Sequence, residues 1–186
     1  MEVRPLGPFT EVLLIKPKVF GDARGFFVES YNAKTFEQAT GLAPTFVQDN
    51  HSRSSRGVLR GIHYQLPPHA QGKLVRVVNG AVFDVAVDLR RSSPTFGQWA
   101  GCELSDVGGE MLWIPPGFGH GFLVLKDNTD FLYKTTDFYA PQAEAAVAWN
   151  DASIGIQWPA EFNTAALKLS AKDQQAPALK NAKVFE

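Results

Sequence analysis

Apolar and polar positions alternate along most of this chain in short runs broken by glycine, proline and asparagine, the pattern of β-strands with one buried face. Glu11–Lys16 is the first clear run, and Pro17 stops it, which predicts a strand near a sheet edge. A glycine-bearing turn at Asp22-Ala23-Arg24-Gly25 then leads into the aromatic-rich run Phe26–Tyr31. Asn32 can cap a short helix over Ala33–Thr40 that Gly41 ends. Thr45–Asn50 reads as a strand, and Ser52–Gly57 as a basic, serine-rich loop whose Arg53 and Arg56 are surface charges.

The second third keeps the same period. Arg60–Gln65 and Lys73–Val78 are strands, and Asn79-Gly80 before Ala81–Arg90 predicts a hairpin with a primed turn. Further strands fall at Gly97–Leu104, Glu110–Ile114 and Thr129–Thr136, with Asp106–Gly109 as a turn. Pro115–Phe122 reads as a proline and glycine corner that delivers His120 ahead of Leu123–Leu125. Ser170-Ala171-Lys172-Asp173 has the form of a capping box opening a short helix, and the tail after Ala176 is less patterned. About ten short strands against two helical stretches predict a mainly β sandwich or barrel.

A length of 186 residues without a linker or internal repeat fits a single domain over 1–186. Within it, residues 1–50 form an N-terminal region, 51–165 the core, and 166–186 a helical segment with a tail. A formal net charge of -1 offers no general attraction to nucleic acid or to an anionic membrane. The one cysteine, Cys102, has no partner for a disulfide or a cysteine zinc site, which points to a reducing compartment. There is no start of signal-peptide type and no apolar run long enough to span a bilayer, so a soluble cytoplasmic protein is expected.

Four histidines, at 51, 63, 69 and 120, are the natural agents of proton transfer near neutral pH. Antiparallel jelly rolls often hold a metal through two histidines two positions apart, an acid and a later histidine. Here Gln65 follows His63 at that spacing and His120 stands alone, so no metal is expected. A metal-free site could use His63 as general base if an acid held its tautomer, Lys73 as the cation facing an oxyanion, and Tyr133 as the returning acid. From spacing alone, His63 could equally be a hydrogen-bonded core residue, and Lys73 and Tyr133 ordinary barrel residues. Arg24, Glu29 and Phe27 could read a nucleotide or be a turn arginine, a charge and a core ring; Arg60, beside His63, is the better anion ligand.

Taken in order, several segments resemble the dTDP-4-dehydrorhamnose 3,5-epimerase family, a metal-free branch of the cupins. They are Phe20-Gly21-Asp22 with Arg24–Phe27 and Glu29, Gln48-Asp49-Asn50, Arg60–Gln65, Gln71–Val75, Ile114-Pro115 through His120–Phe122, Tyr133, Glu144, Trp149-Asn150-Asp151 and Leu169–Asp173. Together they span about residues 9–173; Ile62 departs mildly, standing where the family often has leucine. The resemblance implies a cupin-type jelly-roll barrel with a few short helices and inversion at C3 and C5 of a dTDP-4-keto-6-deoxy sugar in dTDP-L-rhamnose biosynthesis, without cofactor. It implies His63 as base paired with Asp173, Tyr133 as acid and Lys73 at the C4 oxygen. It further implies ligand contacts from Arg24, Glu29, Gln48, Asn50, Arg60, His120, Glu144 and Lys172, with Phe20, Phe27 and Tyr139 as aromatic contacts. The family's homodimers imply N-terminal residues, Arg24–Glu29 among them, reaching the partner's site. The alternatives are a mono-epimerase at C3 or C5, a metal-dependent cupin, and a sugar-nucleotide binder without catalysis.

Overall fold

The computed structural model describes residues 1–186 and contains thirteen strands and two short α-helices. A six-stranded antiparallel sheet holds β1 (Glu2–Leu6), β2 (Phe9–Lys16), β10 (Met111–Ile114), β7 (Lys73–Asn79), β12 (Thr129–Thr135) and β5 (Gln48–Ser54), in that spatial order. A five-stranded antiparallel sheet holds β13 (Glu144–Ala146), β6 (Leu59–Gln65), β11 (Phe118–Val124), β8 (Ala81–Asp88) and β9 (Trp99–Ser105). β3 (Val19–Asp22) and β4 (Gly25–Val28) pair only with each other. No helix is long and apolar enough to cross a membrane.

Period-two patterning decides which side chains meet. Val12 and Leu14, Val75 and Val77, Leu112 and Ile114, and Phe131 of the six-stranded sheet face Val82, Ala86, Leu104, Phe118, Phe122 and Val124 of the five-stranded one in a single core. The Phe122 and Phe131 rings stack across the two sheets, with centroids 4.1 Å apart. Each such fully buried side chain contributes about 1.5–3 kcal/mol. The alternate positions face outward and need covers of their own. Leu13, Ile15, Leu74, Met111 and Trp113 are covered by Phe36 of α1 (Ala33–Thr40), which Asn32 caps and Gly41 ends as expected. Ile62, Tyr64, Val85 and Val87 are covered by Val147, Ile154, Val184 and Phe185, which gives the tail a place behind β6. There Tyr64 donates its hydroxyl to the Lys183 carbonyl at 2.5 Å.

The mainly β class with a few short helices matches the expectation, and several details differ. Asn79-Gly80 does not close a hairpin: β7 and β8 lie in different sheets. Gly80 does take the left-handed conformation (φ 87) that the dipeptide encodes, but β10 and β12 occupy both edges of β7 and leave β8 no place there. β2 lies next to the edge, as expected, and the edge itself is β1, too polar to stand out in the pattern. β5 runs on through Ser54, and Arg53 is bound bidentately to Asp130 rather than idle. His120 lies within β11, not ahead of it.

One irregularity positions the site. β6 opposes β11 with His63 across from His120 and Arg60 across from Phe122, so three steps on β6 match two on β11. Such a bulge puts residues three apart on one face of the sheet. The residue after Arg60 is Gly61, at φ 127, and a Cβ there would run into the Gly121 backbone. Strand register alone would have sent Arg60 and His63 to opposite faces.

Candidate active site

A cavity of about 200 Å³ opens between the two sheets, lined among others by Arg60, His63 and His120 from the five-stranded sheet and by Lys73 and Tyr133 from the six-stranded one. His63 and Tyr133 therefore enter it from opposite walls. Phe122, Tyr64, Gln65, Gln71, Ser52, Tyr139 and Glu144 complete the lining.

The His63 Nε2 lies 2.5 Å from Oδ1 of Asp173, a buried residue on α2 (Ala171–Gln174). Gly61 donates its N–H to the same oxygen at 3.3 Å, and Ser170 donates its hydroxyl to Oδ2 at 2.6 Å. Burial pushes the Asp173 carboxyl up, but the hydrogen bonds from His63 and Ser170 outweigh it and hold the group below its usual range. With Nε2 engaged, the imidazole keeps its other nitrogen for the cavity. Asp173 is thus more than the helix cap its sequence context suggests.

A second histidine and aspartate pair lies on the neighbouring strands β11 and β8 of the same sheet. His120 Nε2 is 3.0 Å from both oxygens of Asp84, and both residues are buried. Burial pushes Asp84 up and His120 down, each against the attraction of the other, so both shifts favour the uncharged pair. Lys73 donates to the His63 carbonyl at 3.3 Å. Desolvation brings its ammonium down to about 8, against the pull of Asp84 and Glu144. Tyr133 packs against Phe131 and is pushed up by burial, with Arg60 only partly offsetting this. The net direction keeps the phenol protonated.

At the mouth, Glu144 on β13 is ion-paired with Lys172 and accepts the Tyr139 hydroxyl at 2.9 Å. Burial raises the Glu144 carboxyl, and the bonds from Lys172 and Tyr139 bring it below its usual value. Gln48 accepts from the Tyr139 N–H at 3.0 Å and donates to Asn50 at 3.0 Å, which places both beside the opening. Arg60 reaches Ser54 Oγ at 3.1 Å. The remaining candidates are not brought to this cavity by their own chain. Arg24 pairs with Asp22, Glu29 accepts from Asn32 at 3.2 Å, and Phe20 and Phe27 are 52% and 68% exposed on the β3–β4 hairpin.

No group of three or more histidine, cysteine, aspartate and glutamate side chains is placed to hold a metal ion. His69 does not converge on His63 and His120; its Nδ1 lies 3.1 Å from Asp137. Gln65 spends its amide on the His69 and Phe138 carbonyls and the Ala140 N–H. A cavity of about 220 Å³ on the outer side, beside Tyr31, Arg76 and Met111, holds His51, whose Nε2 is already engaged with Asp130 at 2.9 Å. Its lining comes from the six-stranded sheet together with Ser30 and Tyr31, and no residue of the five-stranded sheet faces it.

Two members of the constellation were not singled out from the sequence. Asp84 carried a signal, an acid on the inward face of the apolar run Val82–Val87. Ser170 was read as a cap, which it is, since it accepts the Asp173 N–H at 3.1 Å, but not as a donor to the carboxylate.

The family model described as dTDP-4-dehydrorhamnose 3,5-epimerase matches residues 7–181. A protein of that name from Pseudomonas aeruginosa is 58% identical over 94% of each chain. A dTDP-4-dehydrorhamnose 3-epimerase from Streptomyces niveus is 40% identical, over 98% of this chain and 86% of its own. Among solved structures, a dTDP-6-deoxy-D-glucose-3,5-epimerase from Legionella pneumophila, in complex with dTDP-4-keto-L-rhamnose, superposes with a TM-score of 0.89 at 49% identity, covering 95% of this chain and 92% of that one. Sequence and cupin-type architecture agree over nearly the whole length: the chain belongs to the dTDP-4-dehydrorhamnose 3,5-epimerase family.

Proposed function

We propose that this protein inverts C3 and C5 of dTDP-4-dehydro-6-deoxy-D-glucose, the epimerisation step of dTDP-L-rhamnose biosynthesis. The observation that carries the reading is the entry of His63 and Tyr133 into one cavity from opposite sheets, with Lys73 in the same lining and its ammonium 3.3 Å from the His63 carbonyl. His63 takes the proton from the carbon beside the C4 ketone, and the electron pair of the broken C–H bond moves onto the C4 oxygen. Lys73 stabilises that enolate as a fixed charge in a desolvated site, a large contribution in such chemistry. Tyr133 returns a proton to the opposite face; His63 then gives its proton to water and Tyr133 regains one from water, and the step repeats at the second carbon. One C–H bond breaks and one forms each time, so no electrons leave the sugar.

Arg60, His120, Glu144, Lys172, Tyr139, Gln48 and Asn50 hold the sugar nucleotide in this reading. A homodimer supplies the rest: the β3–β4 hairpin of one protomer reaches the partner's mouth with Arg24, Glu29, Phe20 and Phe27. Its support is an arm paired to neither sheet, with Phe26 74% exposed beside Phe20 and Phe27.

The decisive experiment incubates the protein with the 4-keto-6-deoxyglucose nucleotide in heavy water and follows C3 and C5 by proton NMR. Deuterium at both carbons with inversion is expected. Exchange at one carbon makes the protein a mono-epimerase, and binding without exchange removes the catalytic reading.

A further inference from the structure

Asp173 can orient His63 only if its own carboxylate is held. Oδ1 serves His63 and the Gly61 N–H, and Oδ2 takes the Ser170 hydroxyl at 2.6 Å. The Ser170 oxygen also accepts the Asp173 N–H at 3.1 Å, so one hydroxyl grips both the backbone and the carboxylate of the same residue. In an ordinary capping box the acid at the third helical position turns back to the N–H of the cap residue. Here the acid is turned to His63 and receives a proton from the cap instead. A cap needs only an acceptor at position 170; the donated hydrogen bond does something else. Asp173 is 3% exposed, so little water is at hand to replace that donor.

We propose that Ser170 is a positioning residue for the base, its hydroxyl fixing the rotation of the Asp173 carboxylate so that Oδ1 stays in line with His63 and the free imidazole nitrogen stays aimed into the cavity. The inference rests on the reading of His63 as the proton-abstracting group. Loss of the hydroxyl leaves Oδ2 unpaired, frees the carboxylate to turn, and lets the ring drift from the C–H bonds it attacks. A misplacement of about 1 Å is enough to cost on the order of a hundredfold in rate.

Three variants separate positioning from capping. Ser170→Gly keeps a serviceable cap without a hydroxyl, Ser170→Ala removes the cap acceptor and the hydroxyl together, and Ser170→Thr retains both functions. Expected is a fall in kcat of roughly 10–100-fold in the first two, with KM nearly unchanged and near-complete rescue by threonine. A readout without substrate accompanies this: the low-field proton NMR signal of the His63 ring N–H should persist in Ser170→Thr and move or broaden in Ser170→Gly. Wild-type kcat and an unmoved ring signal in Ser170→Gly would overturn the proposal. So would equal losses of kcat and melting temperature in all three variants, threonine included. Failure of the unmodified protein to exchange hydrogen would remove the epimerase reading instead, and the ring signal would still decide whether Ser170 positions His63.

Discussion

The His63 Nε2 and Asp173 Oδ1 lie 2.5 Å apart although 110 residues separate them in the chain. The carboxylate fixes one imidazole nitrogen as the donor, and so commits the other to accept a proton from the cavity. His63→Ala should lower kcat about 10²–10⁴-fold, and Asp173→Asn, which no longer specifies the tautomer, should lose a comparable part. dTDP affinity, measured by calorimetry, should remain within a few-fold of wild type in both. A collapse of affinity with little change in kcat would assign the pair to binding.

Lys73 gives the expected pH dependence. Desolvation lowers its pKa to about 8, so the ammonium, proposed above to stabilise the enolate, is present below that pH and lost above it. The kcat/KM profile of the free enzyme should fall as pH rises through about 8. Lys73→Met should give a lower profile without that limb. A limb that survives the substitution belongs to another group.

Gly61→Ala tests the bulge. The φ of 127 and the Gly121 backbone both exclude a side chain there. The backbone conformation alone costs about 1–3 kcal/mol in a non-glycine residue, and the clash adds to it. Thermal unfolding should shift down by several degrees, and kcat should fall even in the folded fraction because Arg60 and His63 lose their common face. An unchanged melting temperature would show that the strand can shed the bulge.

Phe26→Asp addresses the arm. Placing a charge on a ring that is 74% exposed should leave a folded protomer stable, because its own chain leaves most of that ring uncovered. In sedimentation the variant should shift from dimer to monomer, and nucleotide affinity should drop with it. A dimer that persists at full activity would remove the arm from the interface.

Much of the fold was legible because period-two patterning sorts side chains between the two faces, as in β10, where Leu112 and Ile114 join the inner core and Met111 and Trp113 the outer one. The helix ends at Asn32 and Gly41 were equally legible, since caps are local chemistry. Sheet membership was not. Asn79-Gly80 announces that the chain turns, and nothing in those residues says which sheet receives the strand beyond. The bulge at Gly61 was hidden for a similar reason: it is defined by its register against β11, and no residue of β6 states that register alone. In the site, the ordered motifs identified His63, Lys73 and Tyr133, whereas Asp84 lay concealed among valines whose burial it shares. The separation of Arg24, Glu29, Phe20 and Phe27 from the cavity could not be read from a line of text, because it depends on where a free-standing hairpin points.

The pairing of β6 with α2 also has a consequence for biosynthesis. Translation delivers His63 long before Asp173, so the strands around the pocket can assemble while the histidine has no carboxylate to fix its ring. A chain on which α2 has not yet docked therefore presents His63 without the carboxylate that fixes its ring. With His63 as the proposed base, turnover in a nascent-chain assay should rise as a step when that one short helical turn docks, rather than gradually.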